Sequence, residues 1–501
     1  MARTQQKAPS VAIVGAGFGG IGMAIKLKEA GFSDITLFEK ADDLGGTWRE
    51  NTYPGAACDV PSHLYSFSFE LKPDWGRRYA GQSEILGYLR HCTDKYDVKR
   101  HIRFGTEVAA AKFSEDAGTW ALTLKDGSTH TANVLISACG QLSRPAYPRI
   151  PGLASFGGEL FHSATWNHEY DLTGKRVAVI GTGASAIQFV PAIAAQTERL
   201  TVFQRSAPHV IPKTDFAYPP ILQTAFRRVP GALRASRWAT YGELEPRALM
   251  FTKFPQVSAV YERKFLRNLR REIPDEALRE KLIPSDPIGC KRVLLSNDWY
   301  AVLRRPNVHV ETAPISEITS SAVITAEGVA HDADAIILGT GFKANDFLAP
   351  MRITGRNGAE LNTVWRDGAE AYLGITVAGF PNMFLLYGPN TNLGHNSIIL
   401  MLEAQIQYIL DAVRHLRDEQ LTWLDVRPEI QNAFNKTVQE RMASTIWDRE
   451  CTSWYKNAAG KNTNNWPGFT FAYYAATRKL NPADYRFARN RAPKIDSSTR
   501  Q

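Results

Sequence analysis

Two stretches of the chain repeat one pattern of apolar and small residues. Positions 11–14 are apolar throughout, Gly15-Ala16-Gly17-Phe18-Gly19-Gly20 follows, and residues 21–30 read as a helix ending at Gly31. An apolar run bounded by turn residues predicts a strand buried on both faces, as in a parallel sheet. A glycine just past the last helical residue is a stop signal. Residues 35–38 form the next predicted strand, which ends in Glu39. In the second stretch the strand covers 177–180, the turn is Gly181-Thr182-Gly183-Ala184-Ser185-Ala186, the helix covers 187–195 and the following strand 200–203. A further buried strand is predicted within 333–338. Ile399, Leu402, Ile406, Ile409, Val413 and Leu416 recur at three-four spacing, which marks one face of a long amphipathic helix.

Strand, glycine turn and helix in this order predict a dinucleotide site. Glycine at 15 permits the tight turn, glycine at 17 lets a pyrophosphate approach the backbone, and glycine at 20 lets the helix pack on the strand. The phosphates then meet free N–H groups at the helix start. Glu39 stands where a carboxylate accepts hydrogen bonds from ribose hydroxyls. The second turn, with Gly181, Gly183 and Ser185, has Ala186 in place of the third glycine, still small enough for close packing. Its second strand ends in Gln204 and Arg205 rather than an acid, and an arginine pairs with a 2′-phosphate that a carboxylate would repel. The second site is therefore expected to prefer NADP(H) over NAD(H). Two dinucleotide sites in one chain point to one tightly held flavin and one exchangeable nicotinamide that reduces it.

The expected fold class is α/β, with two nested Rossmann-like dinucleotide-binding domains and a helical insertion. The expected boundaries are 1–142 for the first part of the FAD domain, 152–206 and 286–338 for the NADP domain, 207–285 for the insertion and 339–501 for the rest of the FAD domain. Proline-rich 141–151 reads as the crossing linker. The insertion carries many arginines, from Arg227 to Arg271, which read as a solvated basic face; a weak contact with a membrane surface stays open.

Composition narrows the class further. Over 501 residues, 44% are hydrophobic and 22% charged, an ordinary globular mixture of a size that splits into domains. No apolar run approaches the roughly 20 residues that span a bilayer. The first ten residues lack a secretory apolar stretch, so a cytoplasmic protein is expected. The net charge of +9 suits a solubilising surface and attraction of anionic dinucleotides, and no basic block resembles a nucleic-acid module. Cys58, Cys92, Cys139, Cys290 and Cys451 are scattered and form no C-x-x-C pair, which argues against a disulfide framework, a redox dithiol or a metal site.

Four further segments carry chemistry. Phe156, Gly158, His162 and Trp166 fit the pattern F-x-G-x-x-x-H-x-x-x-W just ahead of the second turn. This run resembles the fingerprint of the type I Baeyer–Villiger monooxygenases, within the class B flavoprotein monooxygenases. Flavin monooxygenases that oxidise nitrogen or sulfur usually end the stretch with another aromatic. Asn167 departs from the proline or aspartate that the family usually has next. Gly45-Gly46-Thr47-Trp48, Asn51, Tyr53-Pro54-Gly55 and Cys58-Asp59 resemble the flavin-side segment of the same enzymes, with Gly46 and Thr47 near the flavin and Trp48 and Tyr65 against its rings or ribityl chain. In Gly289-Cys290-Lys291-Arg292, the resemblance implies that Lys291 faces the NADP phosphate and that Arg292 lies over the flavin. The run from Tyr387 to Ser397, including Asn390 and His395, reads as a long turn leading into the amphipathic helix.

The resemblance implies that NADPH reduces FAD, that O2 then gives a C4a-peroxyflavin, and that this converts a ketone into an ester or lactone. Such a site needs a fixed positive charge, which Arg292 supplies, and Asp59 is placed to orient it. Phe156, Gly158, His162 and Trp166 are expected to couple the two domains as NADP(H) moves, without making bonds. The alternative activity is oxidation of nitrogen or sulfur atoms; a flavin reductase and a flavin-binding sensor are more distant readings. Linear, cyclic and bulky ketones all stay open.

Overall fold

The structure is a computed structural model that describes residues 8–252, 258–448, 453–457 and 459–489; Cys451 and the polar tail from Asn490 lie outside them. The wholly apolar run β1 (Val11–Val14) forms a strand buried along its length. It leads through the first glycine turn into α1 (Phe18–Glu29) and on to β2 (Ile35–Phe38). A short strand β3 (Ile102–Arg103) and the apolar β4 (Val134–Ser137) follow. Between them, strands over 108–132 form an antiparallel sheet whose fully buried Trp120 donates to the Pro381 carbonyl at 2.8 Å.

The second unit holds β5 (Glu159–His162), β6 (Arg176–Ile180), α2 (Ala186–Ile193) and β7 (Arg199–Phe203), then α3 (Ala232–Leu244) within the insertion. It finishes with β8 (Val308–Glu311) and β9 (Ala335–Leu338). The chain then supplies β10 (Met383–Leu385), the 21-residue α4 (Ile398–Asp418) and α5 (Thr470–Thr477).

Two parallel sheets result. The first has the order β10-β4-β1-β2-β3 and the second β8-β7-β6-β9-β5. The register aligns Val11 with both Ile35 and Val134, and Val177 with both Leu200 and Ala335. A strand paired on both edges and covered on both faces meets no water, which is why β1, β4 and β9 carry almost no polar side chain. The first sheet takes strands from both ends of the chain, whereas every strand of the second comes from 159–338. This is the nested, two-Rossmann α/β architecture.

The two crossings between the units run side by side. Pro145 and Phe342 form an antiparallel bridge, Ala146 N–H donates to Gly341 O at 2.9 Å, and Lys343 N–H donates to Arg144 O at 2.9 Å.

Most insertion arginines, including Arg227, Arg228, Arg234 and Arg270, are exposed. Arg237 is the exception. It is buried in α3 and donates to the carbonyls of His63, Leu64 and Ser66 at 2.9–3.3 Å, tying the insertion to the first unit. No helix of the described residues is long and apolar enough to cross a membrane. Cys58, Cys92 and Cys139 are free, while Cys290 is disulfide-bonded, a bridge that the scattered spacing does not predict.

Candidate active site

The first turn is shaped by what cannot fit there. Gly15 has a φ of 105°, and a Cβ on it would lie 2.8 Å from Ala138 O. A Cβ on Gly20 would lie 1.9 Å from Gly15 O, so only glycine lets α1 approach β1 this closely. Gly17 is different: its nearest neighbour is Gly46 Cα at 3.6 Å, so two glycines face each other across an open backbone cleft. No side chain caps α1 and no acid stands in its first turn, which leaves its N–H groups for an anion. Buried Glu39 closes the cleft and accepts from Ala16 N–H at 2.9 Å. Gly46 caps a one-turn helix over Thr47–Glu50, and Trp48 within it donates from Nε1 to Tyr65 Oη at 3.2 Å. Backbone-only walls, a free helix start and an acid at the ribose position fit a flavin dinucleotide.

The second turn repeats this shape. Gly181 has a φ of 110°, and a Cβ there would lie 2.5 Å from Gly339 O. Gly183 is exposed, and Ser185 starts α2 with no capping bond and no acid in the first turn. Arg205 is exposed at the end of β7 and has no acidic partner among the described residues. Beside it, Lys291 Nζ lies 3.2 Å from Ser206 Oγ and 2.5 Å from Asp286 Oδ2. Lys291 thus stands at the residue that follows Arg205, paired there with Asp286.

The Arg292 guanidinium grips Asp59. Nε donates to Oδ2 at 2.8 Å, and the terminal Nη2 donates to the same oxygen. The Asp59 carboxylate raises Arg292 above its ordinary range, so it stays charged. Asp59 raises the neighbouring Cys58 thiol further, on top of burial, which makes Cys58 inert. Tyr387 and Tyr455 also lie in the field of Arg292; burial raises both phenols, Tyr455 to about 12.

The fingerprint residues lie at the edge strand β5. Gly158 has no room for a side chain, since a Cβ would meet Asp334 O at 2.4 Å and the Phe156 ring at 2.8 Å. His162 is fully buried, and its Nδ1 accepts from Ala164 N–H at 3.1 Å. Its ring packs on Tyr147 at 5.6 Å and Phe342 at 5.9 Å, one from each crossing. Trp166 packs on Phe161 and Phe189, at 5.1 and 5.3 Å. Asn390 is buried elsewhere, and its Nδ2 donates to the carbonyls of Asn462 and Asn465 at 3.0 and 3.1 Å.

A profile described as flavin-binding monooxygenase-like matches residues 8–236. A Baeyer–Villiger monooxygenase of Pseudomonas aeruginosa is 44% identical over 98% of this chain and 94% of its own length. One of Streptomyces coelicolor is 45% identical over 96% of this chain and 92% of its own. The chain belongs to the Baeyer–Villiger monooxygenase family. Among solved structures, cyclohexanone monooxygenase from Rhodococcus sp. Phi1 bound to NADP+ matches with a TM-score of 0.87 and 30% identity, covering 96% of this chain and 99% of that one.

Around the site of this Baeyer–Villiger monooxygenase stand residues that the sequence reading missed. Tyr455 comes from a segment rich in asparagine and lysine that carries no motif. Lys213 sits 4.7 Å over the Tyr79 ring, and burial lowers its ammonium below the ordinary range. Phe251 stacks on Trp447 at 5.6 Å and packs against Gly289 at the start of the Arg292 segment. Glu245 lies buried beside His395. None has a local motif; each is brought in by the insertion or the C-terminal segments.

Proposed function

We propose that this monooxygenase uses NADPH and O2 to insert one oxygen atom beside a ketone carbonyl, giving an ester or lactone, NADP+ and water. The observation that carries this reading is the guanidinium of Arg292, held by two hydrogen bonds to Asp59. Bound FAD supplies hydride acceptance and oxygen activation. Gly15, Gly17, Gly20, Glu39, Gly46, Thr47, Trp48 and Tyr65 hold it. Gly181, Gly183, Ser185, Arg205 and Lys291 hold NADP(H), with the two cations on its 2′-phosphate. Arg292 stabilises the negative charge that develops on oxygen, and it does so without a proton to lose at neutral pH. Asp59 fixes the plane of that guanidinium through two bonds to one oxygen. Tyr387 and Tyr455 line the surroundings of that charge. His162, wedged between the two crossings, transmits movement of the NADP unit to the flavin unit, and Phe156, Gly158 and Trp166 hold its strand in place.

Product analysis tests the reading. FAD-loaded enzyme is supplied with NADPH, O2 and cyclohexanone, 2-octanone or acetophenone. Esters or lactones formed in step with NADPH use are expected. NADPH use yielding only hydrogen peroxide, beside efficient oxidation of sulfides or amines, would move the enzyme to heteroatom oxidation.

A further inference from the structure

Two neighbouring helices of this chain turn large aromatic side chains to water. In α3, Arg237, Thr240 and Leu244 recur at helical spacing and are buried, while Arg234 and Trp238 lie on the exposed side. In α5, Thr470, Tyr473 and Thr477 repeat that spacing and face inward, and Tyr473 Oη donates to Leu373 O at 2.6 Å. This fixed inner face leaves Phe471 and Tyr474 outside. Trp238, Phe471 and Tyr474 are 69%, 58% and 57% exposed. Single exposed apolar residues are ordinary, but a contiguous set on adjoining elements marks a contact surface.

The helices meet where these rings emerge. Trp238 packs edge-on against Tyr241 at 5.6 Å, and Tyr241 Oη lies 3.2 Å from Thr470 Oγ1, one residue before Phe471. Phe469 stacks on Phe471 at 4.9 Å. Buried Glu245, just past α3, accepts from Thr470 N–H at 2.6 Å and ties the two helices at this junction.

Cations accompany the rings. Arg234 stands one turn before Trp238, and Arg478 one turn after Tyr474, with Lys479 beside it. All three are exposed and have no ion-pair partner among the described residues. α5 carries no acid. The one acid within α3, Glu243, is held by Arg78 and, at 3.1 Å, by Arg247. The face is therefore aromatic and positive, with no free negative group on either helix. A second copy docked through a twofold axis would set these cations against themselves. An anionic bilayer meets both properties at once. Aromatic rings with one polar edge settle among headgroups, and arginine and lysine reach lipid phosphates.

We propose that the face formed by α3 and α5 docks the enzyme on an anionic lipid bilayer. Trp238, Phe471 and Tyr474 enter the headgroup layer, and Arg234, Arg478 and Lys479 meet lipid phosphates. The contact is peripheral, since no helix of the described residues is long and apolar enough to cross a membrane. The arginine-rich stretch as a whole does not define this surface; the insertion supplies Arg234 and Trp238, and the C-terminal part of the chain completes it.

FAD-loaded enzyme is sedimented with sucrose-filled vesicles of phosphatidylcholine, alone or mixed with phosphatidylglycerol. The parent should co-sediment with the mixed vesicles, far less with phosphatidylcholine alone, and be released by high salt. Arg234→Gln with Arg478→Gln should weaken the partition about fivefold for each charge removed. Trp238→Ser with Phe471→Ser should weaken it about tenfold. Arg267→Gln with Arg270→Gln removes the same charge from exposed positions on another helix and should change binding by less than about twofold. Equal losses in the two arginine pairs would show attraction by net charge alone and overturn the proposal, as would a parent that binds neither vesicle. Light scattering without lipid tests the other occupant: a dimer that dissociates in the aromatic pair, with no vesicle binding, would make the face a self-contact instead. Should the aromatic pair not retain FAD, the two arginine pairs decide by the same assay.

Discussion

At the scale of single residues, charge complementarity organises the site. Arg292 and Asp59 are 233 positions apart and meet through two hydrogen bonds to one oxygen. Removing one preorganised positive group from a developing oxyanion costs about a hundredfold or more in turnover. Arg292→Ala is therefore expected to keep its flavin absorbance and to lose ester formation by at least that factor; normal ester yield would remove Arg292 from the chemistry. Arg205 is exposed and has no ion-pair partner among the described residues. Arg205→Ala should raise KM for NADPH about tenfold and leave KM for NADH in place, because only NADPH has the phosphate to lose. An unchanged ratio of the two constants would reject the assignment. Both arginines stand out in the sequence as candidates, Arg205 by the missing acid at the strand end and Arg292 by its motif. Tyr455 and Glu245 were not, because nothing in their local sequence marks them as buried near a charge.

At the scale of elements, the two glycine turns solve one packing problem in two ways. In the first, Gly20 faces the Ala138 side chain, with 3.5 Å between that methyl and a would-be Cβ. In the second, Ala186 carries the methyl and Gly339 lacks one, at 3.4 Å. One small side chain fits between helix and strand, and it sits on opposite partners in the two units. The sequence reading of Ala186 as compatible with close packing is explained by Gly339, whose part no local motif announces. Gly20→Ala adds a Cβ 1.9 Å from Gly15 O, backbone against backbone. Overpacking of this kind costs about 1–3 kcal/mol, so thermal unfolding should come several degrees earlier and FAD content should fall. Gly87→Ala is the matched control: it lies mid-helix with nothing within 4 Å and should be neutral or slightly stabilising. Equal losses in both variants would show that the steric argument is wrong.

At the scale of the whole molecule, the insertion is bound to the first unit by two buried charges of opposite sign. Arg237 of α3 caps the turn carrying Tyr65, and Glu245, just past the same helix, holds Asn396 and Thr470. Burial pushes the Glu245 carboxyl up, but His395 and the hydrogen bonds from Thr470 and Asn396 outweigh it and bring it down to about 2. A carboxyl depressed in the folded state stabilises the fold in full above its unfolded value near 4.5, and loses that contribution as pH falls through about 2. The depression corresponds to stabilisation on the order of 3 kcal/mol at neutral pH. Denaturant unfolding at pH 7 and pH 3.5 should therefore show Glu245→Gln less stable than the parent, with the gap narrowing at the lower pH. A gap that widens on acidification would refute the sign.

The sequence by itself determined the two glycine turns, the strands and helices flanking them, and the family. These follow from contacts between neighbours in the chain: a glycine turn, a buried strand and a helix start are complete within thirty residues. Tertiary structure alone decided that β10 returns to the first sheet, that the two crossings clasp His162, that Arg237 is buried among arginines that are otherwise solvated, and that Glu245 meets His395. Burial and charge pairing between distant segments depend on packing, and the same arginine or glutamate in a helix reads alike whether it faces water or the core.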